Sequence, residues 1–271
     1  MPAMGIRLIA LDLDGTLLTD EKRIHPPTAE VLREVGKNGV RVVLASARPP
    51  RSVRAFYAEL GLDTLQINYN GAMIWDEPEQ RAFYHQPMAG ELALQIVTHS
   101  RCLYPGVLAS LEVMDRWYTD YVDPRYATET AKFFEPDGVG PIHTFCDQPI
   151  TKLMLLAPLS TIISLHETLK FAYPDEIALT RCDDHLLQIM HKSASKAAAM
   201  KMIAEHYGVG LSEVLAIGDA PNDLEMLQCA GHSAAVGNAH ECVKEIAAYT
   251  AAMDTSEGVL DILRHYRICA T

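Results

Sequence analysis

An apolar run that stops on two acids places the tightest condition on how this chain can fold. Residues 6–18 read IRLIALDLDGTLL. The first half alternates apolar residues and is bounded by turn signals, the pattern of a buried strand. Asp12 and Asp14 stand at its carboxyl end, followed directly by Gly15 and Thr16. Two carboxylates one residue apart are costly to bury unless a cation or a hydrogen-bond network holds them. In an open α/β sheet, ligands collect outside the carboxyl ends of the strands. Taken alone, DxDG fits a solvated strand-end turn as well as it fits such a site.

The rest of the chain supplies the sheet. Pro26 and Pro27 open a helix with Val31, Leu32 and Val35 on one face and Gly39 as its stop. A strand over 40–45 ends at Ser46-Ala47-Arg48, and Pro49-Pro50 starts a helix with Val53, Phe56, Tyr57 and Leu60 at helical spacing. A third strand, 65–69, ends in Asn70-Gly71-Ala72. Strand and helix alternating in this way predict a parallel sheet with helices packed on it. From about residue 73 the rhythm changes: a hairpin around 76–80, a helix over 89–99, strands over 107–113 and 117–122, and a helix over 124–134. A strand over 152–157, a helix over 160–171 and strands over 176–180 and 186–190 follow, an α+β grouping rather than more of the same sheet. Near Ser193 the first pattern returns, with a helix over 195–207, a strand over 213–217 ending in Gly218-Asp219, a helix over 223–228, and strands at 234–236 and 249–253. The expected architecture is an α/β, Rossmann-like parallel-sheet core with helices on both faces, built from 1–82 and 188–271. An α+β cap, 83–187, is inserted into it.

Composition removes several functions. The 271 residues are 49% hydrophobic and 21% charged, ordinary for a globular protein. The net charge of −12 leaves no basic stripe to track phosphates, which argues against a nonspecific nucleic-acid binder. An acidic protein that handles phosphate needs a metal ion or a few well-placed cations. Cys102, Cys146, Cys182, Cys229, Cys242 and Cys269 show no zinc-like spacing and read as buried free thiols in a reducing compartment. The start lacks the regions of a signal peptide. The most apolar later stretch, 153–165, is broken by Pro158, Ser160 and Thr161, so no membrane span is expected. These features point to the cytoplasm.

Four polar groups now fall at strand ends or helix starts: Asp12 with Asp14, Ser46, Lys196, and Asp219 with Asn222 and Asp223. A parallel sheet brings all of them to one edge. Asn222 and Asp223 suit helix capping, which leaves Asp219, ending an apolar strand as Asp12 does, without a structural role. Hard oxygen ligands from Asp12 and Asp219, with a backbone carbonyl and waters, are what Mg²⁺ favours. Lys196 in the first turn of a helix opposes the macrodipole, so an anion is expected beside it. Ser46 fits a turn hydroxyl, and equally a donor to a phosphoryl oxygen beside the Ala47 amide. Together these parts support nucleophilic phosphoryl transfer, in which one carboxylate forms an acyl phosphate and a second acts as general acid and then base.

DLDGTLL (12–18), Ser46 with Arg48, NGA (70–72), Ser195-Lys196, GDAPNDLEML (218–227) and GNA (237–239) resemble, in this order, the motifs of the haloacid dehalogenase-like phosphatases. The closest pattern is the Cof-type group, subfamily IIB, whose large α/β cap lies between the second and third motifs. The resemblance covers nearly the whole chain. It implies Asp12 as nucleophile and Asp14 as acid/base, with Mg²⁺ on Asp12, the Asp14 carbonyl and Asp219, supported by Asp223. It also implies phosphate held by the Leu13 amide, Ser46, Ala47, Lys196 and Asn222. There are departures. Ser46-Ala47-Arg48 replaces Thr-Gly-Arg, Ala197 follows Lys196 where Gly is usual, residues 191–194 replace Pro-x-Gly-Val, and Ala252-Met253 stands for Ser-Asn. None removes a charged catalytic group.

The expected function is therefore Mg²⁺-dependent hydrolysis of small soluble phosphomonoesters, sugar phosphates or similar metabolites, through an aspartyl phosphate on Asp12. The cap would close over the site and read the leaving group, with Arg116, Tyr118, Arg125 and Tyr126 as conceivable contacts against the plainer reading of surface residues. A phosphomutase or phosphotransferase shares the same core, and a phosphate-binding regulatory module is the alternative outside enzymes. Asp14 speaks against the module, because a second acid beside the nucleophile promotes turnover. Oligomeric state stays open between monomer and homodimer.

Overall fold

The computed structural model describes residues 5–126 and 128–268, apart from the side chains of residues 182 and 183. Its contacts divide the chain into two units, Met1–Phe83 with Ser195–Thr271, and Tyr84–Ala194.

The first unit opens with β1 (Leu8–Asp12), α1 (Pro26–Lys37), β2 (Arg41–Ala45), α2 (Pro50–Leu60), β3 (Gln66–Asn68), β4 (Met73–Asp76) and β5 (Arg81–His85). Both early helices begin with proline at their first turn, where the missing N–H costs nothing. Each buries one stripe, Ala29, Leu32 and Val35 in α1 and Val53, Tyr57 and Leu60 in α2. β1 is buried along its whole length, as a strand covered on both faces must be.

The second unit follows with α3 (Gly90–Leu103), β6 (Leu108–Val113), β7 (Arg116–Thr119), β8 (Gly138–Val139), β9 (Lys152–Leu156), α4 (Leu159–Ala172), β10 (Ile177–Asp183) and β11 (Leu186–His191). Its six strands run in the order β10-β11-β9-β6-β7-β8, antiparallel at every pairing but β7 with β8. Ile96 and Val97 of α3 and Ile162, Leu165 and Leu169 of α4 pack with Leu111, Leu153, Leu155, Leu187 and Ile189 in one apolar cluster. Strand residues of opposite parity, Leu108, Trp117, Met154, Leu156 and Leu186, form a smaller cluster against Tyr126 and Ala131.

The first unit resumes with α5 (Lys196–His206), β12 (Val214–Gly218), α6 (Leu224–Cys229), β13 (His232–Ala235), α7 (Glu241–Lys244), β14 (Tyr249–Thr250) and α8 (Thr255–His265). Its sheet order is β14-β13-β12-β1-β2-β3-β4-β5. The pairings from β14 through β3 are parallel, and β4 turns back antiparallel on β3. α1 packs on α2 and α8, and α5 on α6. This is the expected mixed α/β fold with a central parallel sheet, and β1 stands in its middle.

Four sequence expectations need correction. The second boundary falls at 194/195 rather than 187/188, because β11 pairs with β9 and β10 and so belongs to the insert. Among the described residues of 124–134 there is no continuous helix. They hold separate 3-10 turns, Pro124–Tyr126 and Thr130–Lys132, neither of which fully buries a residue, so little burial rewards a longer helix. The strand expected over 249–253 stops at Thr250. Cys102, Cys146, Cys229 and Cys242 are free thiols, but of these Cys146 alone is buried, and Cys102 and Cys242 are exposed, contrary to the expectation of buried thiols; Cys269 and the Cys182 side chain lie outside what is described. Among the described residues no helix is long and apolar enough to cross a membrane.

Candidate active site

Parallel pairing of β1 with β2 on one side and β12 on the other sets the site. Asp12 registers with Ala45 and Leu11 with Ile217, so the residues after these three strand ends emerge at one edge. Those residues are Leu13 to Thr16, Ser46 to Arg48, and Asp219.

Asp12, Asp219 and Asp223 each offer a carboxylate oxygen, and the three oxygens lie within 4.8 Å of one another. All three residues are buried, and Lys196 is buried with them at 2% exposure. Its Nζ donates to Asp12 Oδ1 at 2.5 Å and to Asp223 Oδ1 at 2.7 Å. The anion that the macrodipole called for at Lys196 is thus a pair of aspartates. Ser195 caps the same helix, its Oγ accepting from the Ala197 and Ala198 amides, which fixes where the lysine departs. Asp223 does two jobs. Its Oδ1 accepts a hydrogen bond from the Lys196 ammonium, and its Oδ2 accepts from the Asp219 and Ala220 amides at 3.1 Å, closing the turn after β12.

Three carboxylates facing one ammonium leave an excess of two negative charges when all are ionised. Burial pushes the Asp12 carboxyl well up from its ordinary range, opposed by Lys196 and reinforced by Asp223 and Asp219. Burial likewise raises Asp219, opposed by the hydrogen bond from Thr16, whose Oγ1 donates to Asp219 Oδ1 at 2.6 Å. Lys196 is held firmly protonated: burial opposes its charge, but Asp12 and Asp223 outweigh that. An all-oxygen, over-negative pocket of this kind fits a hard divalent cation. Gly15 leaves room for the Asp219 carboxylate: its φ is +85°, and a Cβ there would stand 2.4 Å from Asp219 Oδ2.

Asp14 does not join this group. Arg48 grips both of its oxygens at 2.6 Å and Lys22 donates to Oδ1 at 2.9 Å. Burial alone would raise Asp14, yet the Arg48 hydrogen bonds and charge, with Lys22, hold it below the usual carboxylate range. Ser46 is buried; its amide donates to Ile67 O, and its Oγ accepts from the Arg48 amide at 3.1 Å, which leaves the hydroxyl proton for another partner. Asn222 Nδ2 donates to Asn70 Oδ1 at 3.1 Å. Leu13 and Ala47 occupy the same loops as the aspartate and the serine.

Arg48 and Asn70 stand in motifs that assign neither of them a role, and Lys22 lies in the polar TDEKR stretch (19–23) after Leu18, which reads as a small flap beside the first strand. The signal for Arg48 was available: a lone acid at the strand end, Asp14, lacked a counter-ion. The four residues suggested as cap contacts divide differently. Tyr118 stacks on Phe145 at 4.9 Å, Tyr126 stacks on His185 at 5.9 Å, and Arg125 pairs with Asp123 at 2.6 Å. Those three have structural partners within the insert, whereas Arg116 is exposed on β7.

A family model for haloacid dehalogenase-like hydrolases matches residues 9–263. The 5-amino-6-(5-phospho-D-ribitylamino)uracil phosphatase YitU of Bacillus subtilis is 31% identical over 264 residues, covering 96% of this chain and 97% of that one. Among solved structures, a haloacid dehalogenase-like hydrolase from Bacteroides thetaiotaomicron superposes with a TM-score of 0.85 at 24% identity, over 97% of this chain and 98% of its own. A subclass IIB sugar phosphatase superposes with a TM-score of 0.82 at 20% identity, over 97% of this chain and all of its own (100%). The two structural likenesses speak for the fold.

Proposed function

The chain belongs to the haloacid dehalogenase-like hydrolases, and from that premise we propose that it is a Mg²⁺-dependent phosphatase of small phosphorylated metabolites that works through an aspartyl phosphate on Asp12. The observation that carries this reading is the buried group of Asp12, Asp219 and Asp223 around a single lysine. Such a group is unstable as a structural core and well suited to a cation and a phosphoryl group. Asp12, the Asp14 carbonyl and Asp219, with Asp223 in support, would hold the ion, which supplies shielding between the anionic nucleophile and the anionic phosphate.

The protein's own residues supply the rest. Lys196, fixed between Asp12 and Asp223, presents its third N–H, and Ser46 its hydroxyl, toward the phosphoryl oxygens, with the Leu13 and Ala47 amides and Asn222 completing the set. An Asp12 oxygen bonds to phosphorus as the bond to the leaving oxygen breaks. Asp14 gives that oxygen a proton and takes one back from the water that cleaves the acyl phosphate. Both Asp14 oxygens are engaged by Arg48, so proton delivery requires that pair to open. In the paired arrangement Asp14 is set as the base of the second half-reaction.

Phosphate release from a panel of phosphomonoesters, with and without Mg²⁺, tests the reading. The relative's name puts phosphorylated ribityl compounds first in that panel, beside sugar phosphates. Chelation should abolish release and Mg²⁺ restore it. Asp12→Asn should lower release by roughly a thousandfold or more; near-normal release by that variant would refute the mechanism. Formation of an isomeric sugar phosphate in place of free phosphate would point to a mutase.

A further inference from the structure

Five buried side-chain polar atoms find no hydrogen-bond partner among the described residues: Gln66 Oε1, Asn68 Oδ1, Asn70 Nδ2, His185 Nε2 and Gln188 Oε1. Three are acceptors and one is a histidine nitrogen whose role depends on its tautomer. Asn70 Nδ2 is the one amide donor, and it lies in the site. We propose that Asn70 is a further phosphate-binding residue, its Nδ2 donating to a phosphoryl oxygen of the substrate. The proposal rests on the phosphatase reading above and deepens it.

Placement carries the inference. Asn70 is 5% exposed and its Oδ1 already accepts from Asn222. Its amide donates to Ser46 O at 3.0 Å, and the Tyr69 amide donates to Arg48 O at 3.3 Å. Gly71, at φ +95°, presses against the Ser195 carbonyl so closely that a Cβ would stand 2.2 Å from it. The short turn Tyr69–Gly71 thus touches the Ser46 loop, the start of the Lys196 helix and Asn222, three parts that supply donors to phosphate. Tyr69 and Asn70 both adopt left-handed backbone, at φ 51° and 53°. That conformation is rare for tyrosine and tolerated by asparagine, so the chain accepts strain to keep this side chain where it is.

Donor supply points the same way. A bound phosphoryl group presents three non-bridging oxygens, each able to accept more than one hydrogen bond. Lys196 has spent two of its three N–H bonds on Asp12 and Asp223. Asn222 has spent one on Asn70. A buried amide donor without an acceptor is costly unless a ligand supplies one. An oxyanion does so, and the resulting bond is charge-assisted.

The test compares wild type with Asn70→Asp and Asn70→Gly in Mg²⁺ buffer, using inorganic phosphate as the probe. Asn70→Asp keeps the acceptor facing Asn222 and removes the donor, while Asn70→Gly suits the left-handed backbone and removes the side chain. The inhibition constant of phosphate against p-nitrophenyl phosphate hydrolysis should rise about tenfold for Asn70→Gly and further for Asn70→Asp. In wild type, the Asn70 side-chain amide resonance, assigned by its loss in Asn70→Asp, should shift as phosphate is added. Unchanged inhibition constants in variants that melt with wild type, or an unmoved amide resonance at saturating phosphate, would overturn the proposal in favour of a resident water. Wild-type inhibition by phosphate retained in Asn70→Asp alone would also overturn it, leaving the acceptor toward Asn222 as the whole role. Should wild type release no phosphate from any monoester, the phosphatase reading itself fails, which is a separate result.

Discussion

Asp12 is 5% exposed and shares one ammonium with Asp223, whereas Asp14, two residues on, keeps 38% of its side chain exposed and is met by both a guanidinium and an ammonium. The strand end separates them. One carboxylate stays in the sheet's edge among other acids, and the next but one turns out toward the flap that carries Lys22. The inner group is short of positive charge and rigidly packed. The outer group has positive charge to spare and sits where water screens it. A nucleophile must hold still and a proton carrier must move, so the two environments match the two proposed tasks.

Removing either acid tests that division most severely. Asp14→Ala should cut kcat/KM by roughly 10²–10⁴-fold, with a smaller loss in kcat/KM on p-nitrophenyl phosphate, whose leaving group needs no proton and whose kcat/KM does not include the shared hydrolysis of the acyl phosphate. Equal losses on good and poor leaving groups would contradict the role of Asp14 as acid. Lys196→Ala strikes the inner group's only cation. It should lower release by a comparable factor and destabilise the protein by about 3–5 kcal/mol, because buried acids lose their partner. Urea unfolding with and without Mg²⁺ measures both parts, and added Mg²⁺ should recover some of the lost stability. Arg48→Ala strikes the outer group instead. Release should fall roughly tenfold with little change in unfolding midpoint, since a partly exposed pair contributes modestly; a collapse in stability would place Arg48 in the inner class.

The smallest effect is the pH dependence. Arg48 and Lys22 hold Asp14 below the ordinary carboxylate range. The unfolded chain therefore binds that proton first as pH falls. The pairing stabilises the fold fully above about pH 4 and is lost as pH drops through the depressed folded value. Arg48→Ala should flatten that acid slope in the unfolding midpoint.

Much of this was legible in the sequence because apolar periodicity and turn residues act locally. The βα rhythm on either side of the insert follows from proline helix starts, glycine stops and buried strand runs. The far boundary was legible only in part: the strand over 186–190 reads with the α+β grouping, yet a boundary at 187/188 cuts through it, and the pairing of β11 with β9 and β10 puts the whole strand in the insert. The helix expected over 124–134 has no buried stripe to hold it, and Phe133 is 74% exposed. At the site, the identity of the acids and the lysine could be read from strand ends and an unfavourable helix position. Which cation met which acid could not, because Arg48 and Lys22 reach Asp14 across the fold.

The middle position of β1 carries one more consequence. Its neighbour β12, the lysine helix and Asp219 all come from the far side of the insert, and Thr16 meets Asp219 across 203 positions of sequence. A nascent chain that has reached the end of β11 holds Asp12 and Asp14 without Lys196, and one flank of β1 lies bare. An N-terminal fragment that ends before α5 therefore lacks Lys196, Asp219 and Asp223 together. Protease nicking inside the insert, by contrast, leaves both halves of the central sheet able to stay paired.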